Sequence, residues 1–214
     1  MFRVKICGIT KPDDARLVVA AGADAIGINF YAGSKRFVAP EIAQEIAAAV
    51  GNRALKVGVF VNSTAAEILK LAAETPLDYV QLHGDETPEF VADLSDLPTI
   101  KALRIRDASL APVVNFLAAC ESAKNLRGIL LDAYSSTEFG GTGQTLDWEN
   151  IGRAADRPAE LPIVLAGGLT PDNVDSAVRL ARPDAVDTAS GVESAPGVKD
   201  KRKVEAFVKN AFSE

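Results

Sequence analysis

Short runs of β-branched and other apolar residues recur along this chain at nearly even spacing. That alternation constrains the fold more than any other feature. The runs cover residues 3–7, 25–29, 55–61, 79–83, 99–105, 128–133, 163–166 and 185–189. Between them lie segments whose apolar residues are three or four apart, such as 13–21, 41–50, 65–74 and 174–181. Eight such units in 214 residues leave about 27 residues each, enough for a strand, a helix and two loops. Strands alternating with helices predict a parallel sheet, and eight units predict an α/β, single-domain (β/α)8 barrel over residues 1–214. An open doubly wound sheet is the rival, weakened because no GxGxxG follows the first strand. Thr10, before Lys11 and Pro12, and Thr170, before Pro171 and Asp172, are predicted helix caps.

Composition removes several function classes. The 23 basic and 29 acidic residues give a net charge of -6, against the broad basic footprint that nucleic-acid binding needs. There are two cysteines, Cys7 and Cys120, one histidine and no CxxC pair, so no metal site is expected. No stretch of 18 apolar residues predicts a membrane span, and the first residues lack the pattern of a signal peptide. The expectation is a cytoplasmic protein with reduced thiols. No apolar surface stripe is evident, so a monomer is the default, with a dimer as the alternative.

In a barrel the chemistry sits where the strands end. Gly167 and Gly168 close the seventh run, and Ser190 and Gly191 close the eighth. The fold recurrently binds phosphate at these two loops, and a helix start at Val192 to Ser194 would add to such a site. Two ligand-free tight turns are the alternative. Cys7 ends the first run and shares a face with Lys5, while Val4 and Ile6 take the other face. It is a candidate base if its pKa falls, and otherwise a small buried thiol. Asp132 follows four residues of apolar or glycine character. It must face the barrel mouth or pair with a lysine such as Lys5 or Lys101. There it could donate a proton. The glycine-rich segment 134–145 lacks the GK[ST] ending of a P-loop and suits a cover over the site. Arg36 offers a fork for a carboxylate. His83 is a substrate contact or a structural residue. Cys120 is assigned to packing, and Trp148 to anchoring the start of a helix.

The strand-end strings KICGIT (5–10), GVFVN (58–62), QLHGDE (81–86), LLDA (130–133), GGTGQ (140–144), LAGGLTPDNV (165–174), SGVE (190–193) and PGVKD (196–200) occur in this order. Together they resemble the phosphoribosylanthranilate isomerase family of tryptophan biosynthesis, over essentially the whole chain. The resemblance implies a (β/α)8 barrel that carries out an Amadori rearrangement of a phosphorylated small molecule without a cofactor. It matches Cys7 to the general base and Asp132 to the general acid. It matches Arg36 to a contact with the anthranilate moiety, Asp187 to the lining of that pocket, and the two glycine loops to the phosphate site. Ala32 and Gly33 stand where the family often has Pro-Lys, and Ala189 where a second serine is common. The related barrel isomerase of histidine biosynthesis is expected to carry an aspartate on strand one, so Cys7 argues against it. A non-catalytic phosphate-ligand barrel would need neither Cys7 nor Asp132.

Overall fold

The computed structural model describes residues 1–94, 96–105, 109–120, 123–133, 146–153 and 161–212. Eight parallel strands close into a barrel: β1 (Val4–Ile6), β2 (Ala25–Asn29), β3 (Leu55–Phe60), β4 (Tyr79–Leu82), β5 (Thr99–Ile105), β6 (Leu126–Ala133), β7 (Ile163–Leu165) and β8 (Ala185–Thr188). The helices between and after them are α1 (Pro12–Ala20), α2 (Pro40–Val50), α3 (Ala65–Glu74), α4 (Pro88–Asp93), α5 (Ala111–Ala118), α6 (Trp148–Arg153), α7 (Val174–Ala181) and α8 (Lys201–Ala211). A short 3-10 turn (Ser190–Val192) and a small antiparallel pair, β9 (Glu193–Ala195) and β10 (Val198–Lys199), precede α8. Among the described residues no helix is long and apolar enough to cross a membrane.

Strand parity divides the interior into two layers. One set of residues, including Val4, Ile6, Ile129, Leu131 and Leu165, packs outward against helical side chains such as Ile46, Ile68 and Phe207. The alternate set points inward. Its lower part is an apolar plug of Phe2, Ala25, Val57, Ile100, Leu130, Val164 and Ala185. Its upper part is polar. Lys5, Gln81, Asp132 and Asp187 are all buried there. This is the layering a barrel of parallel strands demands, since the interior is filled rather than open.

Local signals account for several helix starts. Thr64 and Glu67 form a reciprocal capping box at α3, Thr87 caps α4, and Asp200 accepts from the Lys203 amide at α8. Two predicted caps do not form. Thr10 lies one residue too early, since Lys11 occupies the cap position, and its hydroxyl donates to the Gly197 carbonyl at 2.6 Å instead. Thr170 lies ahead of a turn, and α7 begins only after Asn173. Its amide donates to Asn173 Oδ1, so the threonine serves the turn and not the helix. Cys120 packs partly buried against the core, and Trp148 opens α6 against the same core.

Candidate active site

The upper polar layer opens into a cavity of about 410 Å³, within the size range of small-molecule sites. Cys7, Arg36, His83, Asp132, Asp187, Gly167, Gly168 and Ser190 all line it. Eight of the nine residues singled out from sequence therefore share one wall system. Gly191, the ninth, is not among the lining residues. A Cβ at that position would collide with the Leu169 carbonyl, and Thr188 Oγ1 donates to the same oxygen at 2.7 Å. Its glycine is needed for the close approach of the seventh and eighth loops. The helical turn expected after Gly191 is built from Ser190 to Val192, and Glu193 to Ala195 is extended.

Cys7 stands just past β1, half-buried. Gly27 on β2 makes its position possible, because a Cβ there would come 2.6 Å from the sulfur. Below it Lys5 is fully buried and pairs with Asp187 Oδ1 at 2.9 Å. Burial works against the Lys5 charge, but Asp187 and Cys7 outweigh it and hold its pKa above the ordinary lysine value. For Cys7 the balance is the reverse. Burial pushes the thiol up, and Lys5 and Lys199 only partly counter it. The surroundings of Cys7 therefore hold its thiol above the ordinary range, not below it.

Arg36 lines the cavity, and the Nε and Nη2 edge of its fork is turned to Glu193. Its Nε and Nη2 donate to Glu193 Oε1 and Oε2 at 2.8 and 2.7 Å. Those bonds use two of the five N–H groups of the guanidinium. Glu193 also accepts from Lys199 Nζ at 2.8 Å, and Lys199 reaches the Cys7 carbonyl at 2.7 Å. Burial alone would raise Glu193, yet Arg36 and Lys199 keep its pKa below the usual carboxylate range. Gly8, at a φ of 72°, lets the Arg36 stem pass directly over the backbone, where a Cβ would clash with it. Sequence reasoning missed Glu193 and Lys199 as a brace. Their 157- and 192-residue separations from Arg36 and Cys7 leave no local signal.

Asp132 pairs with neither lysine proposed for it. Lys5 is committed to Asp187. Lys101 lies on the outward parity of β5, bound to Glu86 at 2.6 Å and to the Gly84 carbonyl at 2.8 Å. Asp132 Oδ2 instead meets His83 Nε2 at 3.1 Å, and His83 Nδ1 meets Gln81 Nε2 at 2.9 Å. Gln81 belongs to the polar strand ends visible in the sequence, but its hold on His83 was not read there. Its place two positions before His83 on the same strand face was the available signal. Arg104 ends β5 outside the cavity, paired with Asp85 at 2.7 Å. Arg106 and the loop at 134–145 lie outside the described residues.

Residues 4–210 match the family model of N-(5'-phosphoribosyl)anthranilate isomerase. The protein of that name from Geobacter metallireducens is 47% identical over 212 residues, 99% of each chain. The Thermotoga maritima structure of that isomerase superposes with a TM-score of 0.86 at 40% identity, over 99% of this chain and 98% of that one. A further solved structure of the isomerase holds reduced 1-(o-carboxyphenylamino)-1-deoxyribulose 5-phosphate; it has a TM-score of 0.83 at 39% identity over 99% and 98% of the two chains. A barrel of this topology, with this cavity and with likeness along its whole length, belongs to the N-(5'-phosphoribosyl)anthranilate isomerase family.

Proposed function

We propose that this chain converts N-(5'-phosphoribosyl)anthranilate to 1-(2-carboxyphenylamino)-1-deoxyribulose 5-phosphate in tryptophan biosynthesis, with Asp132 as general acid and Cys7 as general base. One observation carries the assignment of roles: a thiol and a carboxyl line the same cavity from strands on different sides of the barrel. The protonated Asp132 gives its proton to the furanose ring oxygen. The C1–O bond breaks, and the nitrogen lone pair forms a cationic Schiff base. Cys7, as thiolate, takes the C2 proton, and the electrons left behind give a neutral enolamine. The enol O–H is then lost as C1 gains a proton, which leaves the ketone. Asp132 ends one proton short and Cys7 one proton long, so one proton returns between them through water. No electron leaves for an external acceptor, so the reaction calls for no cofactor.

Each proton transfer of this kind contributes about 10²–10⁴-fold. Burial pushes the Cys7 thiol up, and the positive charge of the Schiff base acts in the other direction, favouring the thiolate.

Two ends of the substrate remain to be held. We assign the phosphate to the loops of Gly167, Gly168, Ser190 and Gly191, and the anthranilate carboxylate to the Arg36 side, with Asp187 and His83 on the same wall. Gripping both ends orients the reacting middle. The Glu193 brace fixes the guanidinium in advance, so little rotamer freedom is lost on binding. The acting form we propose is a cytoplasmic monomer, to be checked by sedimentation. The decisive test is turnover. Folded protein mixed with N-(5'-phosphoribosyl)anthranilate should abolish the fluorescence of that compound. Binding without turnover would overturn the reading in favour of a phosphate-ligand sensor.

A further inference from the structure

A general acid needs its proton on the oxygen that faces the substrate, and a carboxyl group has two oxygens to choose from. We propose that Gln81 is a positioning residue that makes this choice for Asp132, acting through the tautomer of His83; the proposal rests on the acid role assigned above. Gln81 is 1% exposed and points inward from β4 between apolar strand partners, Val59 and Ile100. An amide there is not explained by packing. Its Oε1 is buried without a hydrogen-bond partner, which native cores seldom tolerate. Its Nε2 has a partner, His83 Nδ1 at 2.9 Å.

A ring nitrogen that accepts an amide N–H cannot carry a hydrogen of its own. The neutral His83 is therefore the Nε2–H tautomer. That hydrogen is directed at Asp132 Oδ2, 3.1 Å away. With Oδ2 occupied as an acceptor, the acid proton of Asp132 resides on Oδ1. This second oxygen lies against Gly167, where a Cβ would approach it to 3.1 Å, and Gly167 lines the cavity. With the opposite tautomer the bare Nε2 would draw the acid proton onto Oδ2, toward His83 and away from the Gly167 side of the cavity. The chain Gln81, His83, Asp132 thus aims one proton.

His83 is the sole histidine of the chain, so nitrogen-15 histidine labelling gives one pair of ring signals with no assignment problem. In the wild-type protein under alkaline conditions the ring should appear as Nε2–H, with Nδ1 unprotonated. Gln81→Glu replaces the donor by an acceptor of the same shape and should reverse the tautomer. It should also lower kcat about ten-fold or more with KM nearly unchanged, as loss of well-aimed acid catalysis requires. Gln81→Met, which keeps volume and removes both polar atoms, covers the case in which the glutamate variant does not fold. It should release the tautomer preference and lower kcat by a smaller factor. An Nδ1–H ring in the wild type, or kcat within about two-fold of normal in a folded variant, would overturn the proposal. Wild-type turnover tests the isomerase reading separately, and the ring signals report on Gln81 and His83 even in a protein that turns nothing over.

Discussion

The two sides of the cavity are held by different means. Around Cys7 the supports are ionic: Lys5 with Asp187 beneath it, and Arg36, Glu193 and Lys199 beside it. Around Asp132 the contact is with an imidazole that is itself held by an uncharged amide. The difference suits the two tasks. A thiol in a dry site needs cations near it if it is ever to become a thiolate. Neither lysine offered as a partner reaches Asp132, since Lys5 is held by Asp187 and Lys101 by Glu86.

Several changes would break or sharpen this contrast. The largest effects should come from the reacting groups. Cys7→Ser and Asp132→Asn should each lower kcat by about 10²–10⁴-fold with little change in KM, measured by steady-state kinetics and direct binding. Near-normal turnover in either variant would remove that residue from the chemistry. Next, Lys5→Met should cost about 3–5 kcal/mol in urea unfolding, because it strands the buried Asp187 carboxylate. The double variant Lys5→Met, Asp187→Leu should recover much of that stability without recovering activity. Arg36→Ala should weaken substrate binding by about 1.5–3 kcal/mol, read as KM with kcat largely kept. An unchanged KM would leave Arg36 as a mere partner of Glu193.

The mildest test is pH. Burial pushes the Cys7 thiol up, so the limb of the kcat/KM profile that Cys7→Ser removes should lie above the ordinary thiol range near ~8.5. A Cys7-dependent limb well below that range would overturn the raised thiol. Stability should show its own sign on the acidic side. Glu193 has a depressed folded-state pKa, so its contribution is complete above the ordinary glutamate range. It is lost as pH falls through the folded value. The Glu193→Gln variant should lack that part of the acid transition.

Sequence pattern alone recovered what depends on neighbours in the chain. Strand parity put Cys7 and Lys5 on one face and Val4 and Ile6 on the other, as found. Strand limits at 25–29 and 99–105 agree residue for residue, because a strand buried on both faces is written locally as a short apolar and β-branched run. The misses share a different cause. Thr10 and Thr170 have the right chemistry for caps but sit one and three residues ahead of the cap positions, Lys11 and Asn173. Arg36 was correctly placed at the cavity, yet its fork had a partner 157 residues away. Lys101 looked available to Asp132 until its parity on β5 turned it outward. Pairings across the barrel depend on register and tilt, which a linear pattern does not carry.

The seam between the first and last strands also orders events in time. Lys5 finds Asp187 across 182 positions, and the Cys7 carbonyl finds Lys199 across 192. His83 finds Asp132 across 49. During synthesis the surroundings of the acid can assemble while the chain is still growing. Those of the base must wait until the segment around Lys199 has left the ribosome, since domains fold as their segments emerge. A nascent chain is therefore an incomplete catalyst by construction, lacking the thiol's ionic setting until Asp187 and Lys199 have both emerged.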